Sequence, residues 1–220
     1  NPTVENFKNS LMKTMITQML NMRLSDLTKK EDPDFIYAGS YNAGRFIRPK
    51  TMFALYGGVQ ETKIEIGFKS LVRELERIIR FGFIEEELNR TKAQILSQIE
   101  QATNEKDKTE SRKYKFKYKD HYLSGKPYYD IGDQLNLFNL LKSEIKVIDI
   151  NALALELFSS KNKILDVDFP EKESVKIMTK EEVVEIYNSV LNENIEPYYE
   201  EETAEQLFTK TVIPGTIISE

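Results

Sequence analysis

The 220-residue chain holds one histidine, His121, and no cysteine. These two counts bound most of the chemistry its side chains could do. The usual zinc sites need several Cys or His donors, so none can be assembled within the chain. There is no Cys nucleophile and no disulfide, and any Ser-His-Asp triad would have to use His121. His121 follows Asp120, which offers a base beside an orienting acid. Consecutive helix positions point apart, however, and no nucleophile accompanies the pair, so His121 reads as a surface or partly buried histidine. The lack of cysteine does not choose a compartment.

Three other clusters could act. Glu85-Glu86-Glu87 suggests a carboxylate metal site, but neighbouring helix positions do not converge on one ion. A charge cluster at a helix start, where the dipole favours carboxylates, is the simpler reading. Tyr114-Lys115-Phe116-Lys117-Tyr118-Lys119 alternates aromatic and basic residues, a composition that could stack bases and neutralise phosphates. On a helix, Tyr114, Tyr118 and Tyr122 would instead pack on one face with the lysines in water. The net charge of −5 argues against a general nucleic-acid binder. The acidic run from Glu200 to Glu205 could attract a basic partner, yet fits a solvated linker better.

The elements that would position these residues can be read from periodicity. An amphipathic helix is expected over 4–29, with Thr3 as N-cap and Glu31-Asp32-Pro33 as its stop. Strands are expected over 35–41 and 51–56, joined by a loop holding Asn42, Gly44 and Pro49, with Gly57-Gly58 closing the second. A helix over 62–81 ends at Gly82, where a left-handed residue is wanted. Another starts at Glu85, with a break expected between Thr103 and Ser111, and Gly125 and Pro127 end that region. Helices fit 133–143 and 148–159, and strands fit 163–169 and 175–178. Thr179 and Glu182 form a capping box for a last helix. Periodicity stops after Leu191, and Pro214-Gly215 marks a turn. No apolar run approaches the ~20 residues needed to span a bilayer. The opening Asn1-Pro2-Thr3 reads as the start of a mature or excised piece, with no signal peptide.

Two segments resemble the recurring non-catalytic domain of the pitrilysin/insulinase zinc peptidases, the inverzincins. One is Met19 to Leu27, whose Asn21-Met22-Arg23-Leu24 leads into the strand pair. The other is Gly82 to Lys92, where a helix ends at Gly82-Phe83 and a Glu87…Lys92 helix follows. The likeness covers most of residues 4–191, and the tail around Tyr198, Leu207 and Pro214-Gly215 is similar to the family's linker. It implies structural roles for Arg23, Gly82, Glu87 and Lys92. It also implies an α+β fold of two layers, an antiparallel or mixed sheet with helices mainly on one face. Residues 1–191 would be the domain, lacking an N-terminal strand, and 192–220 an acidic inter-domain linker. Where the family often has Ser or Thr, this chain has Ile84, so the acidic turn must serve as the cap.

The inverted H-x-x-E-H zinc motif is absent, so no catalytic or metal-ligating residue carries over; substrate-binding residues remain unassigned. The resemblance implies zinc and a general-base glutamate in a neighbouring domain of the parent, which would hydrolyse peptides inside a chamber of paired halves. This domain would enclose substrate without doing bond chemistry. Its partners would be neighbouring domains of the parent chain or a homologous subunit, with peptide as substrate and neither nucleic acid nor a membrane span. An edge-strand dimer of the fragment is also expected. The family expectation favours a bacterial source and a periplasmic or envelope setting. Two alternatives stay open: part of an inactive homologue acting as a partner subunit, and a nucleic-acid-binding module using residues 114–119.

Overall fold

The computed structural model describes residues 3–43, 52–124, 127–159, 162–173 and 175–199, with the backbone alone at Lys113, Asp120 and Ser124. α1 (Val4–Thr28) starts where the Thr3 hydroxyl accepts the Asn6 N–H, as expected, and stops before Glu31-Asp32-Pro33. Its apolar stripe, from Leu11 through Met15, Ile16, Met19 and Leu20 to Leu24, is buried and forms the centre of the main core.

β1 (Tyr37–Asn42) and β2 (Phe53–Gly58) pair antiparallel, Tyr37 opposite Gly58 and Asn42 opposite Phe53. Both strands begin two residues later than the sequence suggests, and Gly57-Gly58 belong to β2 instead of closing it. Cross-strand packing explains why glycine is kept inside this strand pair. The Tyr37 ring lies on Gly58 and the Tyr56 ring lies on Gly39, where a Cβ would stand 2.7 Å from the Tyr56 hydroxyl. The hairpin's other face packs on α1. Of the connecting loop, Gly44 and Pro49 lie outside the described residues; the Ala43 N–H bonds Met52 O at 2.8 Å.

α2 (Ile64–Phe81) follows a 3-10 turn over Glu61–Lys63 and is packed on two sides. Leu71, Leu75, Ile78 and Ile79 face the main core. Phe68 and Val72 face a smaller one formed with Tyr187, Val190 and Ile195. α3 (Glu85–Asn104) breaks where its apolar face is lost, gives a 3-10 turn at Lys106–Lys108, and is followed by α4 (Ser111–Ser124). α5 (Ile131–Leu141) packs along α3, and α6 (Val147–Phe158) closes the core against α1 and α2. α7 (Lys180–Leu191) begins with the expected capping box, Glu182 N–H to Thr179 Oγ1 and Thr179 N–H to the Glu182 carboxylate.

The fold is α+β, mostly helical with a small antiparallel sheet. That sheet has two strands among the described residues, because the expected strands over 163–169 and 175–178 do not form. Alternation at 163–169 supplies the side-chain pattern of a strand. No described backbone partners it, and Ile164 is 89% exposed.

Candidate functional site

The most tightly organised group of ionisable residues is a junction between α1, α2 and α3. Arg23, near the end of α1, is buried. Its Nε and Nη2 each donate to one Glu87 carboxylate oxygen at 2.7 Å, a two-pronged pair that matches guanidinium geometry. Nη1 donates to Glu74 at 3.2 Å and Nη2 also donates to Gly82 O at 3.0 Å. Glu74 takes a second cation, Arg77, so two arginines balance two carboxylates. The guanidinium carbon also lies over the rings of Phe83 and Tyr198, 4.9 and 4.2 Å from their centroids. Burial alone would push the Arg23 pKa down; the hydrogen bonds and charges of Glu87 and then Glu74 outweigh it, and the pKa is raised. Burial raises the Tyr198 phenol, with Glu87 and Asp26 acting in the same direction.

The corner at Gly82 is built around this junction. Gly82 has φ 72°, as expected, but its ψ of −161° is extended and not left-handed helical. Only glycine adopts that combination readily. The turned chain lets Phe83 exchange two bonds with the Asn151 amide of α6, at 2.8 and 3.1 Å. A Cβ at Gly82 would stand 2.5 Å from the Asn151 side chain. The missing Ser or Thr cap at Ile84 is compensated from the other side, because Glu87 Oε2 accepts the Ile84 N–H at 2.9 Å. Glu87 is therefore both ion-pair partner and helix cap, while Glu85 and Glu86 point to solvent.

Arg23, Gly82 and Glu87 thus come together, and Lys92 does not join them. Five residues along α3, its Nζ donates to Ile145 O at 2.7 Å between α5 and α6. Burial lowers its pKa, opposed by Glu85. Asn21, two positions before Arg23, faces the hairpin. Its amide accepts from Ser40 N and Oγ, at 2.6 and 2.9 Å, and donates to Ser40 O. Sequence reasoning missed Glu74. The available signal was a carboxylate inside the apolar stripe Leu71, Leu75, Ile78, a position that demands a buried cation.

The start of the acidic stretch is strapped to α2. Arg73 pairs with both oxygens of Glu193 at 2.7 and 3.2 Å. Arg77 donates to Glu196 O, and Arg80 donates to Glu193 O and Leu191 O. The Arg73 hydrogen bond holds the Glu193 carboxyl below its ordinary pKa. The remainder of the stretch, including Glu200 to Glu205, Leu207 and Pro214-Gly215, lies outside the described residues. His121 is exposed on α4, and the Asp120 side chain lies outside the described set. Among the described residues no group of three or more His, Cys, Asp or Glu is placed to hold a metal ion. No described helix is long and apolar enough to cross a membrane.

No family model matches the chain. Over 216 residues, 98% of its length, the chain is 25% identical to an Arabidopsis thaliana protein described as a zinc protease PQQL-like, of which it spans 20%. The periplasmic protease PqqL from Escherichia coli superposes with a TM-score of 0.76 at 16% identity, over 94% of this chain and 23% of that one. A predicted insulinase-family protease from Yersinia pestis gives 0.73 at 13% identity, over 87% and 41%. The likeness to the pitrilysin/insulinase zinc peptidases therefore holds in sequence and in fold, for a segment that makes up a fraction of each relative. One relative is a plant protein, so a bacterial source is not supported.

Proposed function

We propose that this chain is a non-catalytic domain of a zinc-dependent metallopeptidase, a wall element that encloses peptide substrate in a chamber. The carrying observation is that nearly all of the chain aligns with a fifth of a zinc protease. The residues present do not fit zinc: a single histidine, no cysteine and no clustered carboxylates among the described residues leave it without a donor set. No chemical step is therefore assigned to this chain; zinc belongs to another part of the parent. Arg23, Gly82, Glu87 and Lys92 take structural roles in this reading. They fix the angles between α1, α2, α3 and the α5–α6 connection, as a wall that must hold its curvature under substrate requires.

Among the described residues each hairpin strand has one partner, so within that set each has an open edge. Those edges support docking of a strand from a neighbouring domain of the parent, from a homologous subunit, or from a second copy of this fragment. Likeness to a periplasmic protease supports an envelope setting. The test compares the isolated chain with its longer parent by metal analysis after dialysis and by fluorogenic-peptide cleavage. The parent is expected to hold zinc and cleave in a chelator-sensitive way, and the isolated chain to do neither. Stoichiometric zinc with chelator-sensitive cleavage in the isolated chain overturns the reading.

A further inference from the structure

α4 stands apart from the packed body; no other element packs broadly along it among the described residues. It is held by a stack of rings, Tyr114 on Tyr118 at 6.4 Å and Tyr118 on Tyr128 at 5.1 Å. Two of the three expected tyrosines thus do pack together, while Tyr122 is 86% exposed. The opposite face presents Arg112, Phe116, Lys119 and Leu123, spaced by four, three and four, which places them on one stripe. All four are exposed, with Phe116 at 47% and Leu123 at 60%. Arg112 and Lys119 flank the Phe116 ring at 5.8 and 5.2 Å. The helix holds five bases and one acid in a chain whose net charge is −5.

From this stripe of alternating cations and apolar side chains, we infer that α4 is a docking surface for an acidic polypeptide segment that intersperses carboxylates with apolar residues at helical spacing. Charge complementarity carries the choice. The rest of the surface repels an anion while α4 attracts it, and at physiological salt such fields act over about 8 Å, which confines encounter to this helix. Phe116 and Leu123 supply the apolar anchors that turn encounter into residence. A nucleic acid fits less well. A long polyanion would meet the acidic remainder of the chain, which a short acidic segment avoids.

This goes beyond the peptidase reading and does not depend on it, since the test is binding alone. A fluorescent peptide with Glu and Leu at i, i+4 spacing is titrated into the 220-residue chain by anisotropy. A Lys-for-Glu version, oligo-dT and anionic vesicles serve as competing probes. Saturable binding of the acidic peptide is expected, weakened by salt and absent for the basic peptide. Arg112→Glu with Lys119→Glu should weaken it at least about tenfold, and Phe116→Ser about fivefold. Circular dichroism should be unchanged, because these side chains are exposed. No binding of the acidic peptide, equal binding by both variants, or stronger binding of oligo-dT or vesicles overturns the inference.

Discussion

Two regions of this molecule use the same residue types to opposite ends. At the α1–α2–α3 junction, arginine, glutamate and aromatic rings are buried together, and every charge finds an opposite one. On α4, lysine, arginine and aromatics stand in solvent with a large surplus of one sign. A buried ion pair adds little net stability, but it punishes loss of either member and so fixes geometry. An exposed basic stripe adds almost nothing to the fold and is available to something outside it. Composition alone does not distinguish the two; what the carboxylates sit beside does.

Removing half of each arrangement tests that contrast most severely. Glu87→Ala leaves Arg23 buried with one fewer counter-charge and the Ile84 N–H without its cap. It should cost about 3–5 kcal/mol in denaturant unfolding. Lys117→Ala on α4 should stay within about 0.5 kcal/mol. Similar losses from the two would mean that α4 is as integral to the fold as the junction. Next in size is Gly82→Val. Its strained φ and the crowding against Asn151 should together cost about 2 kcal/mol or more, read as a lower midpoint at unchanged slope. A variant as stable as its parent would show that the corner is not held by glycine.

The smallest expected effect concerns Glu193. Its folded pKa lies below the unfolded value because Arg73 bonds the carboxylate. The unfolded state therefore binds the proton first as pH falls. The contribution is complete above the ordinary carboxylate range and is lost as pH drops through the lowered folded value. Hydrogen exchange along 191–199 should quicken over that window, and Arg73→Gln should remove the dependence. Exchange that follows pH identically in both proteins would show that Arg73 does not hold the strap.

Helices were the legible part of the sequence, because a 3.6-residue period, caps at Thr3 and Thr179, and the break after Thr103 each act locally. Gly82 was legible locally, as the residue that stops a helix, but Arg23 and Glu87 were singled out only through family resemblance, since nothing local says that residues 64 positions apart will form a pair. Glu74 was hidden among the many charges of α2. The strands expected over 163–169 and 175–178 failed for a related reason: alternation records which side chains could share a face, but a ladder needs a second backbone. The hairpin was found but misplaced by two residues, because Gly57-Gly58 looks like a stop until the Tyr37 ring is seen lying on it.

The three arginines of α2 also have a mechanical consequence. They grip the chain between Leu191 and Glu196 at several carbonyls and one carboxylate, and Tyr198 is pinned against Arg23 beyond them. A pull on whatever follows Tyr199 reaches these anchors before it reaches α7. The load is divided among bonds that end on the most deeply embedded helix pair, and the capping box and small core of α7 are spared. The strap acts as strain relief, as a clamp on a cable protects the joint behind it.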